Sequence, residues 1–524
     1  MKANTFKYIF FTIVILLIVL AIYLLYKDGK KNVYAIQNNE LEINIIKELN
    51  IGITKYDTIN PILSNNRDVQ YICKLIFEPL LDISYDFKIE NKLAREFSKI
   101  NDTTYIVKLR EDNYWHDGEK FTANDVIFTI NNLKNNNINS IYKENVKYIK
   151  EVQKIDDYTV KLILNQKVEF FEYLMCIPIL ASHSYDENFI SKTNNPIGTG
   201  KYKITKIEDN NITIEKNNCD DSSNITKINI LLKKSVNDVY SALIKNEIDF
   251  MITDNIEYED YIGSMGYNIA QYPNREFDYL ILNNQNSILK NKDIRKAINY
   301  AIDKNEINYN IYNNKYYICS FPLDYESFFY NKDIKVEYDI DKAKNILIQN
   351  GWKFKKNIFK KNGISLRLRL LVNKENKRRL KVSENIKEQL KRVGIEIDVI
   401  AVSNNKYENY LRNKKYDMVL SGNIISNNPN LETYFGKANL SNFSNNEMTN
   451  IINEIKSIDN QEEILKEKYT RIEEIYKEEM PFISLYFNSL FILSSKNLKG
   501  DFTGNWYNIF YNIDTWYKII NSKN

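Results

Sequence analysis

Strand-like and helix-like periodicities alternate along the second half of this chain, and this alternation most constrains its fold. In "LRLRLLV" (366–372) apolar residues recur at every second position, as on one face of a strand. A 3.6-residue pattern follows in "RLKVSENIKEQLKRVG" (379–394), and "IEIDVIAV" (395–402) and "YDMVLSG" (416–422) return to strand. Parallel strands need such a crossover helix between them. The order therefore predicts an α/β protein with mixed sheets, and no internal repeat is visible.

Bulk composition excludes one class of partner. Hydrophobic residues make up 44% and charged residues 27% of the 524 residues, which is the balance of a globular protein. This length suits roughly two to four domains. The 72 basic and 68 acidic residues leave a net charge of only +4, so no basic surplus indicates nucleic-acid binding. We expect no nucleic-acid partner.

The cysteines, histidines and motifs indicate neither a metal site nor an enzyme. Cys73, Cys176, Cys219 and Cys319 form no CxxC pair and have no nearby histidine that could complete a zinc site. A disulfide stays open, although four buried thiols are the favoured interpretation. The chain lacks GxSxG, phosphate-loop and HExxH motifs. We therefore predict no catalytic residues, no metal and no cofactor.

The N-terminus carries an uncharged apolar run from Tyr8 to Tyr26. As a helix this run would span about 28 Å, close to the thickness of the hydrocarbon core of a bilayer. The first small-x-small site ends at Ala35, well beyond the run, which favours an uncleaved anchor over a signal peptide. Lysines flank both ends and leave the orientation open. We expect a single-pass cell-membrane protein with its bulk outside; cytoplasmic anchoring is the alternative.

A possible chemical motif is the histidine of "YWHDGEKFTANDVIFTINNL". Thr122 followed by Asp125 reads as a capping box at the start of an amphipathic helix. The preceding "TTYIVKLRE" alternates like a strand, so His116 falls in a turn between a strand and a capped helix. A catalytic or metal role for His116 beside Asp117 would need further partners that the local sequence does not supply.

Several segments taken together resemble extracellular solute-binding protein family 5, the peptide, nickel and oligosaccharide receptors of ABC importers. Each match is weak by itself, but all occur in the family's order and at about its spacing. The matching segments are "TINPIL", "LIFEPLLDIS", "KLAREFSKINDTTYIVKLREDNYWHDGEKFTANDVIFTI", "NPIGTGKYKI", "LIKNEIDF", "NKDIRKAINYAIDKNEI", "YDIDKAKNILIQNGW" and "ENIKEQLKRVGIEIDV".

The resemblance implies a periplasmic-binding-protein-like α/β fold of three lobes that closes by a hinge around a ligand cleft. It also implies that Trp115 is a packing residue, that His116 and Asp117 form a turn and that His183 lies in a loop. We expect a monomer that meets ABC permease subunits. The expected parts are a membrane anchor (1–26), a tether (27–45), lobe I (46–68, 196–275 and 496–524), lobe II (69–195) and lobe III (276–495).

In the family, ligands lie between lobes I and III, where a peptide can add hydrogen bonds to strand edges. Peptide-binding members carry Gly-Trp-x-x-Asp after the "YD" strand, and the aspartate pairs with the α-ammonium of the peptide. Here those places hold Gly422 to Ser426, so the carboxylate is absent, unless the loop alignment is shifted by a residue or two. The residues expected to bind ligand are Tyr56, Asp57, Asp254, Tyr407, Gly422, Asn423, Ile424, Ser426 and Asn442.

These departures leave two functional hypotheses. The first and leading one is a membrane-anchored receptor that delivers an oligopeptide or other small solute to an ABC importer. Either its ligand is not an ordinary free peptide, or an anion from elsewhere, such as Asp57, Asp254 or Glu432, replaces the missing one. The second is a non-transport descendant that acts as a surface sensor or assembly partner. The missing aspartate and the absence of a lipid-bearing cysteine before Cys73 favour the second. An extracellular hydrolase has no assembled nucleophile to support it.

Overall fold

The computed structural model describes residue 20 and residues 43–185, 196–218, 224–334, 337–456, 458 and 461–521. Among these residues no helix combines the length and apolar character that a membrane span requires. All of the predicted anchor at 1–26 except residue 20, and nearly all of the tether, lie outside the described ranges, so both stay predictions.

The described chain contains both strands and helices. The strands are β1 (Ile43–Ile46), β2 (Glu48–Thr54), β3 (Leu81–Ile83), β4 (Ile89–Asn91), β5 (Ala94–Asn101), β6 (Thr104–Leu109), β7 (Ile149–Asp156), β8 (Thr159–Leu164), β9 (Tyr202–Glu208), β10 (Asn211–Lys216), β11 (Lys227–Lys233), β12 (Phe250–Thr253), β13 (Tyr267–Leu282), β14 (Tyr317–Ile318), β15 (Lys353–Lys355), β16 (Ile358–Lys361), β17 (Ile364–Ser365), β18 (Arg367–Asn373), β19 (Glu396–Val402), β20 (Met418–Ile424), β21 (Phe482–Ser495), β22 (Leu498–Lys499) and β23 (Tyr517–Asn521). The helices are α1 (Arg67–Ile76), α2 (Ala123–Lys134), α3 (Lys143–Val146), α4 (Phe171–Leu174), α5 (Val236–Ile244), α6 (Glu259–Ile262), α7 (Lys292–Tyr300), α8 (Lys304–Tyr312), α9 (Ile340–Gln349), α10 (Lys377–Val393), α11 (Asn404–Arg412), α12 (Glu432–Phe435), α13 (Asn446–Ile455) and α14 (Glu462–Glu479).

The predicted βαβ order is confirmed in the second half. Strand β18 pairs in parallel with both β19 and β20, and α10 forms the crossover between β18 and β19. Gly394 ends α10 in the left-handed conformation at φ +90°, which a glycine adopts without steric cost. Helix α11, between β19 and β20, was not predicted.

The largest sheet that the described residues form has eleven strands. Its order is β19, β18, β20, β13, β21, β12, β2, β11, β10 and β9, and β14 adds to β21. The long antiparallel pair β13 and β21 runs from the strands of predicted lobe III to those of predicted lobe I. The proposed boundary between residues 275 and 276 therefore falls inside a strand, and the lobe limits stay a prediction.

A two-residue bulge interrupts this central pair. Pro273 lies opposite Ser489, but Phe277 lies opposite Phe487, so β13 carries two more residues than β21 over this stretch. Bulges bend a strand and re-aim its side chains. This bulge contains Arg275.

Two hydrophobic cores lie on opposite faces of the large sheet. Along β21, Phe491 and Leu493 pack in one core, and Leu490 and Ile492 pack in the other. This division follows from the two-residue period of a strand. The second core continues under the separate four-stranded sheet β5-β6-β8-β7 and helix α2.

Candidate ligand site

The His116 turn has a structural role, because His116 hydrogen-bonds to the glycine turn at 198–200. His116 Nε2 lies 2.9 Å from the carbonyl oxygen of Gly200, and the Gly198 N–H donates to Nδ1 at 3.3 Å. A carbonyl oxygen only accepts and an N–H only donates, so this pattern requires the neutral tautomer with its proton on Nε2. Burial lowers the pKa of His116 and so favours this neutral form. The expected structural role of His116 is confirmed.

The glycine turn to which His116 is bonded approaches helix α1 closely. A Cβ on Gly198 would lie 1.8 Å from the carbonyl oxygen of Ile76, and the Gly200 N–H donates to that same oxygen at 2.8 Å. Only glycine fits where backbone packs against backbone at this distance. The "IGTG" stretch therefore joins α1 to the turn, and no ligand is needed to explain it.

Trp115 and His183 also have structural partners. Trp115 is 2% exposed and its indole N–H donates to Asp125 at 3.3 Å. His183 Nε2 lies 2.8 Å from Asp117 Oδ2. Within the described ranges no group of three His, Cys, Asp or Glu side chains could hold a metal ion.

The three cysteines that the structure describes are buried free thiols. They are Cys73, Cys176 and Cys319, in agreement with the favoured interpretation. Cys219 lies outside the described residues.

A cavity of about 320 Å³ lies where the loop after β20 meets the bulge of β13. Four distant parts of the sequence form its walls. The lining residues are Phe87, Arg275, Pro322, Leu323, Asp324, Ser327, Asn423, Ile424, Ile425, Ser426, Asn427, Asn428, Pro429, Asn430, Thr433 and Tyr434. Polar groups that converge in one concave, partly apolar site are typical of small-molecule binding.

Asp324 is the carboxylate of this cavity. Its side chain is 7% exposed, and Oδ1 accepts a hydrogen bond from the indole N–H of Trp506. No protein group in the described ranges donates to Oδ2, so this oxygen is available to a ligand. Burial raises the pKa of Asp324 to about 7, although the Trp506 hydrogen bond and the charge of Arg275 act in the opposite direction.

Arg275 supplies a cation to the same cavity. Its guanidinium carbon lies 4.4 Å from the ring centroid of Trp506, and Nε and Nη2 donate to the carbonyl oxygen of Ile425 at 3.0 and 2.7 Å. Nη2 also donates to Asn427 at 3.2 Å. These contacts fix the loop after β20 to the bulge. Within the described chain no acceptor is bonded to Nη1.

Three predicted ligand residues come together here. Asn423, Ile424 and Ser426 all line the cavity, and the Ile424 side chain is 69% exposed. Asn423 donates to the Tyr434 hydroxyl at 2.8 Å, whereas its buried Oδ1 has no hydrogen-bond partner. An unsatisfied buried acceptor is costly, and this oxygen is closed to the cavity, so Asn423 contributes to the wall without offering Oδ1 to a ligand.

Gly422 has a different role from the predicted one. A Cβ at this position would lie 2.0 Å from Nη2 of Arg379 and 2.2 Å from Oδ1 of Asp278. These two residues form a buried pair with nitrogen–oxygen distances of 3.0 and 2.6 Å. Gly422 makes room for this ion pair, and it is not among the residues that line the cavity.

Tyr56, Asp57 and Asp254 lie outside the cavity. Asp57 accepts hydrogen bonds from the Ser64 hydroxyl at 2.6 Å and from the N–H groups of Thr58 and Asn65. Burial acts to raise its pKa, but these hydrogen bonds outweigh burial and the pKa of Asp57 is lowered. Its carboxylate is therefore used to hold its own loop.

The other alternative carboxylates are also paired. Asp254 accepts from Arg67 at 2.8 Å, and Glu432 accepts from Lys456 at 3.0 Å. Both side chains are about half exposed, which makes their pairing weak. Neither lines the cavity.

Two predicted ligand residues belong elsewhere. Tyr407 is 6% exposed and its hydroxyl donates to the Leu420 carbonyl oxygen at 3.0 Å, so it packs beneath β20 as a core residue. Asn442 adopts φ +53° in a turn and donates to Asn283 at 2.9 Å. Both hydrogen bonds join residues within the predicted lobe III, and neither residue lines the cavity.

Sequence reasoning did not find Asp324, Arg275 or Trp506. Asp324 and Trp506 are separated by 182 residues, and neither belongs to a periodic pattern. The polar run "PNREFD" inside an otherwise apolar strand was the one local signal, because charged residues within a central strand indicate a bulge or a site. Without the strand pairing, the sequence does not show where in the fold these charged side chains lie.

Comparison with known proteins now identifies the family. The sequence model for bacterial extracellular solute-binding proteins, family 5 Middle, matches residues 88–445. The chain belongs to this family. The oligopeptide-binding protein AppA of Bacillus subtilis is 25% identical over 439 residues, which cover 79% of this chain and 80% of AppA.

Solved structures agree on the fold. The unliganded open form of the periplasmic murein tripeptide binding protein MppA matches with a TM-score of 0.79 at 16% identity, covering 92% of this chain and 99% of that one. NikZ from Campylobacter jejuni in complex with Ni(L-His) matches with a TM-score of 0.59 at 24% identity, covering 90% and 99%. The predicted binding-protein-like α/β fold with mixed sheets is therefore confirmed.

Proposed function

We propose that this member of the family is a membrane-anchored extracellular receptor that delivers a peptide or peptide-like solute to an ABC importer. It binds and releases its ligand without chemical change, and the N-terminal apolar helix holds it at the cell surface. Family membership and the similarity to an oligopeptide-binding relative support the solute-binding role. The ligand class is inferred from Asp324, a buried carboxylate with one oxygen open to the cavity.

Asp324 can take the place of the carboxylate that is absent at Ser426. Asp324 lines the same cavity as Asn423 and Ser426, so it can receive a ligand ammonium although it comes from another part of the chain. A charge-assisted hydrogen bond in a water-poor site is among the stronger polar contacts available to a protein. We infer that the α-ammonium of the ligand pairs with Asp324 Oδ2.

Arg275 adds a donor for a peptide-like molecule. Its Nη1 group can donate to a carbonyl or carboxylate oxygen of the ligand. The volume of about 320 Å³ lies at the lower end of the range for small-molecule sites, which favours a short ligand. No histidine or cysteine lines the cavity, so a bare metal ion lacks the nitrogen and sulfur ligands it would need.

The test is the unfolding stability of the full chain in detergent, with and without a pool of di- to tetrapeptides. A ligand at 100 times its dissociation constant adds about 2.7 kcal/mol to the free energy of unfolding. We expect the free-amine pool to stabilise the protein and an N-acetylated pool of the same sequences to stabilise it much less. If neither pool raises stability, the peptide-receptor proposal fails and the non-transport alternative takes its place.

A further inference from the structure

Lys304 is a buried lysine without a partner. It is the first residue of α8 and only 4% of it is exposed. Its amine makes no hydrogen bond, ion pair or ring contact with any group in the described ranges. The neighbouring Asp303 is already engaged, because its carboxylate accepts from the backbone N–H groups of Asn305 and Glu306 at 2.9 and 3.0 Å. An unpaired buried ammonium is costly, so an anion bound beside Lys304 would be stabilising.

Lys304 lines a cavity of about 340 Å³ that is separate from the ligand site. The two cavities share no lining residue. The walls of this second cavity, the Lys304 cavity, are Ile302, Lys304, Asn305, Ile318, Ser320, Tyr325, Tyr330, Lys332, Ile334 and Tyr338. They contain two lysines and no carboxylate, so the charge of the lining is positive.

The hydroxyls in the Lys304 cavity leave a donor for a ligand. Tyr330 OH accepts from the Ser320 N–H at 2.9 Å and shares a second hydrogen bond with Ser320 Oγ, also at 2.9 Å. The two hydroxyls carry two hydrogens between them, and their mutual bond uses one. Whichever of the two donates, one hydroxyl hydrogen remains for a third group.

The acids near this cavity are paired with other lysines. Lys332 binds Glu326 at 2.5 Å, and its side chain is 51% exposed, so it adds positive potential at the mouth. Glu337 lines a smaller space of about 50 Å³ that also touches Lys304, but it binds Lys342 at 2.8 Å. No acid among the described residues is therefore left to neutralise Lys304.

From this geometry we propose that the Lys304 cavity binds a small organic carboxylate. The amine forms the ion pair, the free hydroxyl of the Ser320 and Tyr330 pair donates to the second oxygen, and Ile302, Ile318 and Ile334 contact the apolar part of the ligand. Burial lowers the pKa of Lys304 to about 8, and an anion at the amine would favour its charged form. The apolar walls distinguish this site from one for inorganic phosphate, which has no apolar part.

The test is calorimetric titration of the full chain in detergent with sodium acetate, butanoate and phenylacetate. Butanamide serves as the uncharged control and sodium phosphate as the control for a general anion site. We expect at least one carboxylate to bind and butanamide to bind at least tenfold more weakly. Lys304→Met should raise the dissociation constant at least tenfold, whereas Lys381→Met, at an exposed lysine of α10, should leave it unchanged.

Three results would overturn the proposal. They are no binding of any of the three carboxylates, unchanged binding in Lys304→Met, and phosphate binding as tight as the best carboxylate. Because Lys304→Met could fail to fold, the unmodified protein provides an independent check. Reductive methylation followed by mass spectrometry should show that the carboxylate slows modification of Lys304 but not of Lys381, and equal rates with and without it would also reject the site.

Discussion

The pH dependence of peptide affinity follows from the burial of Asp324. In the free protein its pKa is raised to about 7, so the carboxyl group is mostly protonated at pH 5.5 and mostly ionised at pH 7.5. Only the ionised form can pair with an ammonium group. Binding below pH 7 must therefore release a proton, and affinity for a free-amine peptide should rise with pH through this range.

The size of the effect comes from two titrations. Raising the pH from 5.5 to 7.5 increases the ionised fraction of Asp324 about 25-fold if its pKa is about 7. Over the same interval a peptide α-amine with a pKa near 7.8 loses roughly a third of its protons. The product predicts about a fifteenfold stronger affinity at pH 7.5, close to the maximum, with a decline at higher pH as the amine is deprotonated.

Calorimetry with one tripeptide and its N-acetylated form at several pH values measures this directly. Asp324→Asn keeps an acceptor for the Trp506 indole, so the fold should persist, but the variant should lose the pH dependence and bind the free amine about 10- to 150-fold more weakly. Asp254→Asn and Glu432→Gln are the matched controls, because both carboxylates lie outside the cavity. A flat pH profile in the unmodified protein, or the same profile in Asp324→Asn, would refute the assignment of Asp324.

Three further predictions concern separate parts of the chain. Ser426→Asp should strengthen binding of free-amine peptides by about 1 to 3 kcal/mol and leave N-acetylated peptides unaffected or worse, as calorimetry would reveal. Trp115→Ala should lower the free energy of unfolding by roughly 3 to 5 kcal/mol. His116→Gln should change peptide affinity by no more than a few-fold. Loss of peptide binding in a folded His116→Gln protein would reopen a chemical role for His116. The mature protein should retain residues 1–26 and resist extraction by salt, and N-terminal sequencing that begins near Ala35 or later would contradict this.

Local patterns predicted the elements whose energetics are local. The capping box of Thr122 and Asp125 is present at the start of α2, because its hydrogen bonds join residues three positions apart. Tyr105, Val107 and Leu109 are buried on one face of β6, as their spacing predicts. Gly351, at φ +81°, follows the end of α9. The same reasoning correctly placed His116 in a turn.

The ligand site could be predicted only in part. The loop at 423–426 follows directly from the strand that the sequence indicated, so three of the predicted ligand residues line the cavity, and their contact with a ligand stays a prediction. Asp324 reaches the cavity through an irregular loop, and Arg275 reaches it because a bulge shifts the register of β13. Tyr407 lies on the buried face of helix α11. Because that helix was not predicted, its buried face could not be assigned from the sequence. Long-range pairing and register determine these positions, and a single sequence does not encode them in a readable pattern.

The most direct test of the receptor account is a crystal structure of the protein with a bound free-amine peptide. The account predicts the peptide in the cavity between the bulge of β13 and the loop after β20, with its α-nitrogen about 2.7 to 2.9 Å from a carboxylate oxygen of Asp324. A peptide bound in this cavity with its α-nitrogen on another carboxylate would contradict the role of Asp324, and a peptide bound outside the cavity would contradict the site itself.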